Sequence, residues 1–353
     1  MPVSAGPGSI RPGIARVRVA RGGFRYQRPD GTWITDAAEL ERIRQLAIPP
    51  AWIDVSISDK PRARVQATGR DSRGRLQYRY HPAFRRSRDA QKFAGLVEFG
   101  RLLPRLRRRV DRDLRRRGLP RDKVLAGVVA ILEATRIRIG NREYAQANHS
   151  YGLTTLLPQQ VMVDGDTARF VFRGKSGRRH RVVLEDARLA HFVARCRSTP
   201  GHELFQYEAP DGSWEPVRSD DVNAYLRETT GGDFTAKSIR TWSASVLALQ
   251  LLRSGRRAEE PRPRSAVGRA IQVVADALGN TPTISRSAYV HPDVIDWYLD
   301  QAPDPGIVTR GAPWLSTDER RLIALLGGVS SRDRTPSARA DRRTRPSGSR
   351  QPS

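Results

Sequence analysis

The amino-acid sequence predicts an α+β fold: a small β-rich N-terminal domain followed by a larger, mainly α-helical domain that contains a three-stranded antiparallel sheet. Three observations support this prediction. A chain of 353 residues is long enough for two hydrophobic cores. Short β-favouring stretches separated by turns fill the region up to about residue 80, and helical spacing of apolar residues dominates after residue 96. Within that second region, residues 161–185 return to the period of two that is typical of strands.

The predicted domain limits follow changes in composition. Residues 1–19 are rich in Gly, Pro and Arg, which predicts a disordered N-terminal tail. Residues 20–96 form the predicted N-terminal domain, and residues 97–312 form the larger domain. A C-terminal helical extension is predicted at 313–329. Residues 330–353 are rich in Ser, Arg and Pro, so they are predicted to be a disordered basic tail with nonspecific affinity for nucleic acid.

The N-terminal domain has short, alternating signals. The turn signal Pro29-Asp30-Gly31 is followed by the helical pattern DAAELERIRQL and then by the β-favouring stretch in PPAWIDVSIS. These signals predict a domain of short strands with one or two helices.

The larger domain opens with two predicted helices, one in RLLPRLRRRVDRDLRRRG and one that begins at Pro120. Their apolar residues lie at helical spacing: Leu103, Leu106, Val110 and Leu114 in the first helix, and Leu125, Val128, Val129 and Leu132 as one stripe in the second. Three strands with the turns DGD and GKSG follow at 161–185, which puts Lys175 at a hairpin tip. Further helices are predicted at 186–198, 220–229, 236–253 and 264–278, with Gly279 as a C-cap.

The charge balance indicates a polyanionic partner. The formal net charge is +26 and the pI is about 11.3, which favours nucleic acid, with an anionic membrane surface or a ribosomal setting as alternatives.

The one cysteine, Cys196, excludes an intramolecular disulfide and a cysteine-based zinc site. No apolar run approaches the roughly 18 residues of a membrane span, and the N-terminus lacks a signal-peptide core, so an intracellular protein without a membrane partner is predicted.

Several kinds of site are disfavoured by the motifs that are absent. The RGKSG stretch has Arg169 where a phosphate-binding loop needs its first glycine, which argues against a bound nucleotide. The six histidines show no paired metal-ligand spacing, and the acidic residues form no obvious cluster. A metal-dependent nuclease or polymerase is therefore disfavoured, and no cofactor is predicted.

What remains is a set of cations, an amide and a phenol that could act on a phosphodiester. The set consists of Arg138, Lys175, Lys237, Arg240, Asn280 and Tyr289. A tyrosine oxygen can attack phosphorus while two arginines stabilise the charged transition state. A lysine can protonate the leaving 5′ oxygen, which arginine cannot do, and only five of the 63 basic residues are lysine. An asparagine amide can donate a hydrogen bond to a phosphate oxygen.

Each of these residues also has an ordinary structural interpretation. Tyr289 could be a half-buried aromatic residue, Asn280 a turn residue after a helix, and Arg138 a cation at a helix C-terminus. Taken singly, these interpretations are favoured. The order and context of the motifs change that balance.

The motifs resemble those of the type IB DNA topoisomerases, in the small poxvirus-like form found in bacteria. IRIGN, YGLTTL, FRGKSG, KSIRTW and LGNTPTISRSAYVHP occur in the family's order, and the resemblance covers roughly residues 20–310. It implies that Arg138 and Arg240 clamp the phosphate, that Lys175 is the general acid and that Tyr289 is the nucleophile. Lys237 corresponds to a basic position near the leaving oxygen.

The resemblance also implies DNA contacts outside the phosphodiester site. The segment DSRGRLQYRYHP resembles the part of the family's N-terminal domain that lies in the major groove, so Gln77 and Tyr78 are candidate base contacts and Tyr80 is a candidate backbone contact. Tyr144 corresponds to a tyrosine of the first motif. Poxviral members have a histidine at the position of Asn280, whereas bacterial relatives resemble this chain there. Because the asparagine amide is neutral, it favours a hydrogen bond over a cationic role at this position.

The implied function is ATP- and metal-independent relaxation of positive and negative supercoils through a 3′-phosphotyrosyl intermediate, strand rotation and religation. The implied enzyme is a monomer on duplex DNA, cytoplasmic and nucleoid-associated, with the catalytic fold shared by tyrosine recombinases and type IB topoisomerases. One alternative is a tyrosine recombinase or integrase, although Lys237-Ser238-Ile239-Arg240 stands where recombinases usually have His-x-x-Arg. Another is a non-enzymatic basic DNA-binding protein, which the charge alone would also explain.

Overall fold

The computed structural model describes residues 13–19, 22–72, 74–84, 93–255, 263–306 and 313–329. The chain divides into two compact units, Met1–Ala94 and Gly95–Ser353, two residues short of the predicted boundary at 96. The predicted tail at 330–353 and most of the predicted tail at 1–19 lie outside the described residues. None of the helices in the described part of the chain combines the length and the hydropathy that a membrane span requires.

The first unit is built on a five-stranded antiparallel sheet. Its strands are β1 (Ile14–Arg18), β2 (Phe24–Gln27), β3 (Ile53–Ile57), β4 (Val65–Arg70) and β5 (Leu76–Tyr80), in the order β2-β1-β3-β4-β5. Helix α1 (Ala37–Gln45) begins at Asp36, whose carboxylate accepts a hydrogen bond from the Glu39 N–H at 2.7 Å. The helix contributes Ile43 to a small core that also contains Ile14 and Ile57.

The predicted N-terminal disorder is wrong for Ile14–Arg18. These residues form β1, which lies inside the sheet between β2 and β3, and Ile14 is completely buried. The Gly- and Pro-rich composition misled the prediction because the run IARVR is short and carries two arginines. Its single apolar anchor, Ile14, is enough to place the strand in the core because both neighbouring strands supply backbone hydrogen bonds.

The second unit is mainly helical. Its helices are α2 (Leu96–Leu114), α3 (Arg121–Thr135), α4 (Arg142–Asn148), α5 (Ala187–Arg197), α6 (Ser219–Thr230), α7 (Ala236–Ser254), α8 (Arg264–Leu278), α9 (Pro282–Ala288), α10 (Pro292–Leu299) and α11 (Thr317–Val329). Its strands are β6 (Val161–Asp164), β7 (Thr167–Arg173), β8 (Arg179–Glu185), β9 (Gln206–Glu208) and β10 (Trp214–Pro216). This is the mixed α and β architecture that the sequence predicts.

The centre of the second unit is formed by α2, α3 and α7. The four apolar residues predicted to line one face of α2 are all buried, and those predicted for α3 are completely buried. The expectation of a single stripe on α3 is too narrow, because residues from Val124 to Leu132 are buried on nearly every side. Close approach of α2 to α7 depends on Gly100, where an added Cβ would lie 2.2 Å from the ring of Trp242.

The three-stranded sheet is confirmed, with order β6-β7-β8 and antiparallel pairing throughout. Alternate residues of β7 face the helices, so Ala168, Phe170 and Phe172 are buried while Val171 is exposed. The β9-β10 hairpin and the two short helices α9 and α10 were not predicted, because each is shorter than the window in which periodicity can be recognised.

Candidate active site

Tyr289 lies at the C-terminal cap of α9, where the chain turns into α10. It is 7% exposed. Its N–H donates to the Ser285 carbonyl at 3.1 Å, and its carbonyl accepts from Ser245 Oγ at 3.2 Å. The same Ser245 Oγ accepts from the His291 N–H at 3.0 Å, so one hydroxyl on α7 holds the backbone on both sides of the turn. Sequence reasoning missed Ser245, because the same helix also carries Ser238, Thr241 and Ser243 and no local signal distinguishes one hydroxyl from the others.

Arg138 lies three residues beyond the end of α3, not within that helix. Its carbonyl accepts from the Leu153 N–H at 2.8 Å, which joins the IRIGN stretch to the YGLTTL stretch. A Cβ on Gly152 would lie 2.5 Å from that carbonyl oxygen, so only glycine permits the approach. The two motifs therefore occur together because the second one supports the backbone of the first.

The guanidinium of Arg138 joins two of the other predicted site residues. Its Nη1 donates to the Tyr289 hydroxyl at 3.1 Å. Its Nη2 donates to the Asn280 Oδ1. The other side of the Asn280 amide, Nδ2, is buried and has no hydrogen-bond partner in the described part of the chain. A buried donor without a partner is costly unless a ligand supplies the acceptor.

Arg240 lies on the first turns of α7 and is 3% exposed. Its Cζ is 5.3 Å from the centroid of the Tyr289 ring. Its Nη2 donates to the Leu278 carbonyl at 3.0 Å, whereas Nε and Nη1 find no acceptor among the described residues. Burial, together with the charge of Arg138, lowers the pKa of Arg240 to about 10, so the group is still a cation at neutral pH.

The phenol of Tyr289 lies between two guanidinium groups. Burial alone would raise its pKa, but the charges of Arg240 and Arg138 and the hydrogen bond from Arg138 outweigh burial and lower the pKa below its ordinary value. A lowered pKa favours the phenolate, which is the nucleophilic form. The two arginines are also placed to stabilise charge that develops on an atom bonded to the phenolic oxygen.

Lys175 lies in a single 3₁₀ turn, Lys175–Gly177, between β7 and β8. The turn is held by a hydrogen bond from the Gly174 N–H to the Arg178 carbonyl at 2.7 Å, and Gly177 has a φ of 73°. The lysine is exposed at the hairpin tip, as predicted, and lines the same pocket as Arg138. Because its ammonium group is exposed on a short turn, Lys175 is accessible to a bound substrate.

Two residues that sequence reasoning missed tie this hairpin to the turn after α8. Arg178 Nη1 donates to the Asn280 carbonyl at 2.7 Å. The His180 ring stacks on Phe172 with centroids 5.1 Å apart, and a Cβ on Gly279 would lie 2.1 Å from His180 Cε1. Burial and the charges of Arg240, Arg138 and Arg178 lower the pKa of His180.

Gly279 is the predicted C-cap of α8, and its φ of 62° confirms that prediction. It also has a second role. Since it leaves room for His180, it brings the lysine-bearing hairpin against the residue that precedes Asn280.

Lys237 is exposed in the first turn of α7, three residues before the buried Arg240. The described contacts do not bring its side chain to another predicted site residue. The structure therefore assembles Arg138, Asn280, Arg240 and Tyr289 directly, and Lys175 lines a pocket together with Arg138.

The candidate DNA-contact residues of the first unit lie on β5. Tyr78 and Tyr80 point to the same face and stack with ring centroids 5.9 Å apart. Gln77 alternates to the opposite face, where its Nε2 donates to Asp71 Oδ2 at 3.0 Å. The two predicted base contacts are thus on different faces of the strand. Tyr144 is part of α4, but its side chain lies outside the described residues.

Two family models match the chain. The model described as eukaryotic DNA topoisomerase I, catalytic core, matches residues 81–302, and the model described as bacterial DNA topoisomerase IB, N-terminal domain, matches residues 23–71. The first match covers more than half of the chain and contains all six residues predicted for the phosphodiester site.

Viral proteins are similar along most of the chain. A DNA topoisomerase 1B of Acanthamoeba polyphaga mimivirus is 29% identical over 283 residues, which are 78% of this chain and 84% of the relative. A DNA topoisomerase 1B of Vaccinia virus (strain Copenhagen) is 22% identical over 273 residues, 75% of this chain and 84% of the relative. A DNA topoisomerase 1 of Rabbit fibroma virus (strain Kasza) is 22% identical over 269 residues, 73% and 81% of the two chains.

Proposed function

The chain belongs to the type IB DNA topoisomerases, and we propose that it relaxes positive and negative supercoils by cutting and resealing one strand of duplex DNA through Tyr289. The family makes it an enzyme, an isomerase that acts on DNA. The assignment of individual residues to steps of the reaction is the proposal.

The observation that supports this proposal most directly is the environment of one phenol. Tyr289 accepts a hydrogen bond from Arg138 at 3.1 Å and lies under the guanidinium of Arg240. Neither arginine forms an ion pair with a carboxylate in the described part of the chain. Both cations are therefore available for a phosphate that would lie against the phenolic oxygen.

In the proposed cleavage step, the Tyr289 oxygen attacks the scissile phosphorus and loses its proton to solvent. The bond from phosphorus to the 5′ oxygen breaks, and the 3′ phosphate remains bonded to the tyrosine. Arg138 and Arg240 hold the non-bridging oxygens, and the free amide N–H of Asn280 donates to one of them. Lys175, helped by Lys237, gives a proton to the leaving 5′ oxygen.

Religation reverses these steps. The 5′ hydroxyl returns its proton to Lys175 and attacks the phosphotyrosyl bond, and Tyr289 leaves as the phenol after regaining a proton. Between the two steps the free end rotates and releases superhelical strain. The energy of the cleaved bond is kept in the phosphotyrosine, so neither ATP nor a metal ion is needed.

The remaining features of the proposal concern the partner. A single chain acts on duplex DNA, and the surplus of positive charge supplies contacts to phosphates. Tyr78 and Gln77 are proposed as base contacts and Tyr80 and Tyr144 as backbone contacts. An enzyme with this substrate would be found with the nucleoid in the bacterial cytoplasm.

The test is relaxation of a negatively and a positively supercoiled plasmid in EDTA without nucleotide, with the wild-type chain and with Tyr289→Phe. The wild type should relax both plasmids and the variant neither, while plasmid binding is nearly equal, because one hydroxyl contributes little to an interface dominated by phosphate contacts. Normal relaxation by the variant would remove Tyr289 as the nucleophile. Binding without relaxation by both proteins would return the choice to a recombinase or an architectural protein.

A further inference from the structure

A third arginine lies near the two that contact Tyr289. Arg136 is the C-cap residue of α3, and its backbone is left-handed, with φ 59° and ψ 16°. This conformation is uncommon for a residue other than glycine, asparagine or aspartate. It ends the helix and starts the extended stretch that carries Arg138. Arg136 and Arg138 line one pocket together with Lys175.

The side chain of Arg136 is half-buried but has no counter-charge among the described residues. It makes no hydrogen bond and no ion pair with any described residue, and its Nε is completely buried without an acceptor. Burial lowers its pKa, and no carboxylate in the described part of the chain offsets this effect. Its charge also acts on Arg240. A half-buried cation with this environment is unfavourable in the free protein.

The end of α3 supplies only part of the missing negative charge. The C-terminus of a helix carries roughly half an elementary charge, and a nearby cation gains about 0.3–1 kcal/mol from it at a surface. Arg136, Arg138 and Lys175 therefore place three cations on one pocket in which no carboxylate is found among the described lining residues. Burial lowers the pKa of Arg240, which lies close enough for the charges of Arg138 and Arg136 to lower it further. A substrate with more than one phosphate fits this excess better than a single phosphate.

We propose that Arg136 binds a second phosphate of the cleaved DNA strand, next to the one that Tyr289 attacks. The guanidinium groups of Arg138 and Arg240 lie over the Tyr289 ring at 6.0 and 5.3 Å, and Arg136 makes no such contact. Arg136 therefore faces the pocket without reaching the phenol. This inference rests on the proposed function, since it requires a DNA strand in the pocket.

The experiment compares Arg136→Met with Arg197→Met in the full chain. Methionine keeps an unbranched apolar stem and removes the charge. Arg197 is exposed on the last turn of α5, so its variant has the same net charge without altering the pocket. Single-turnover cleavage is measured on a duplex with one mapped cleavage site. It is then repeated with one neutral methylphosphonate at the phosphate on either side of that site.

The expected results form a pattern. With unmodified DNA, Arg136→Met should cleave about tenfold to a hundredfold more slowly than wild type, the loss expected for one charge-assisted hydrogen bond, and Arg197→Met should match wild type. A methylphosphonate at one of the two neighbouring positions should slow the wild type by a similar factor. The same substitution should have little further effect on Arg136→Met, because the contact is already absent.

Thermal unfolding without DNA separates binding from folding. If Arg136 is held for a phosphate, Arg136→Met should melt no more than about 2 °C below wild type, because no native ion pair is lost and a half-buried cation without a counter-charge is removed. A fall of several degrees would instead make Arg136 a structural cap and overturn the inference.

Equal cleavage by Arg136→Met and wild type, or equal sensitivity of both to each methylphosphonate, would also overturn the inference. If the wild type forms no covalent adduct, the proposed function fails; if it does and the variant behaves identically, only this inference fails.

Discussion

Two arginine clusters in the helical unit differ in their ion pairing. The paired cluster is Arg107 with Glu133 and Glu319, and the unpaired cluster is Arg138 and Arg240 beside Tyr289. Arg107 donates from Nε to Glu133 at 2.8 Å and from Nη1 to Glu319 at 2.9 Å, and the two carboxylates raise its pKa despite its burial. Arg240 is buried more completely, has no carboxylate partner in the described part of the chain, and its pKa is lowered to about 10. An arginine that is paired with carboxylates contributes to the structure, whereas one without a carboxylate partner is available to bind an anion from outside the protein.

The two clusters share helix α7. Trp242 on that helix donates from Nε1 to Glu319 at 3.0 Å, while Arg240, two residues earlier, faces Tyr289. Residues two apart in a helix point to nearly opposite sides. The helix is therefore fixed on one side by the paired cluster, which leaves its other side free to present an unpaired cation. If this comparison is correct, substitutions in the two clusters should have opposite effects on stability and on chemistry.

Among substitutions that leave Tyr289 in place, the largest effect is expected from Arg240→Gln. Loss of one preorganised donor to a developing oxyanion costs about 10²–10³ in rate, so formation of the covalent adduct should slow by that factor. The free protein should be as stable as wild type or more stable, because a buried cation without a carboxylate partner is removed. Single-turnover cleavage and thermal unfolding measure the two quantities. A variant that cleaves normally but melts early would place Arg240 with the structural arginines.

Lys175→Arg is expected to have the next largest effect. The substitution keeps the positive charge at the hairpin tip but removes the proton donor, so cleavage should slow by about 10²-fold or more. A duplex with a better leaving group at the 5′ position, a 5′ thiolate, needs no protonation and should restore most of the rate. Unchanged kinetics on the ordinary duplex would show that only charge matters there, which would place Lys175 with the unpaired arginines.

Glu319→Gln tests the paired cluster. Glu319 accepts from Arg107 and Trp242, and its side chain is 8% exposed. Loss of the charge should lower the free energy of unfolding by about 2 kcal/mol, less than for a fully buried pair because Arg107 keeps 22% exposure. Cleavage by the folded variant at low temperature should stay within a few-fold of wild type. A large loss of cleavage with normal stability would contradict the division between the two clusters.

Features that repeat along one helix or strand could be predicted from the sequence, whereas contacts between distant parts of the chain could not. Residues with a repeating environment were predicted correctly: the buried face of α2, the four buried residues named on α3, the alternation of β7 and the C-cap Gly279. Each follows from local backbone geometry and from the periodicity of apolar residues. Only the extent of burial around α3 was underestimated. The short helices α9 and α10 have too few residues to show a period.

Contacts between distant parts of the chain were not predictable from local pattern. The hydrogen bond between Arg138 and Tyr289 joins residues 151 apart in sequence. The two residues could be named because the order of the motifs resembled a family, not because spacing placed them together. Ser245, Arg178 and His180 occupy no recognisable motif, so their contacts with the site emerged only from the fold.

His180→Phe should have the smallest effect, and it bears on the same excess of positive charge. The folded-state pKa of His180 lies below its ordinary value of 6.5. Above pH 6.5 both the folded and the unfolded chain keep the ring neutral. As the pH falls below 6.5 the unfolded chain binds a proton that the folded chain resists, so stability is lost until the folded pKa is reached. Phenylalanine keeps the stack on Phe172 and cannot titrate, so between pH 7 and pH 5 the variant should lose less stability than wild type. Denaturant unfolding at the two pH values measures this difference, and His202→Phe, at a histidine with a side chain that is 79% exposed, should follow the wild type. Equal losses for His180→Phe and wild type would mean that neither the burial of His180 nor the charges of the three arginines around it lower its pKa in the folded chain.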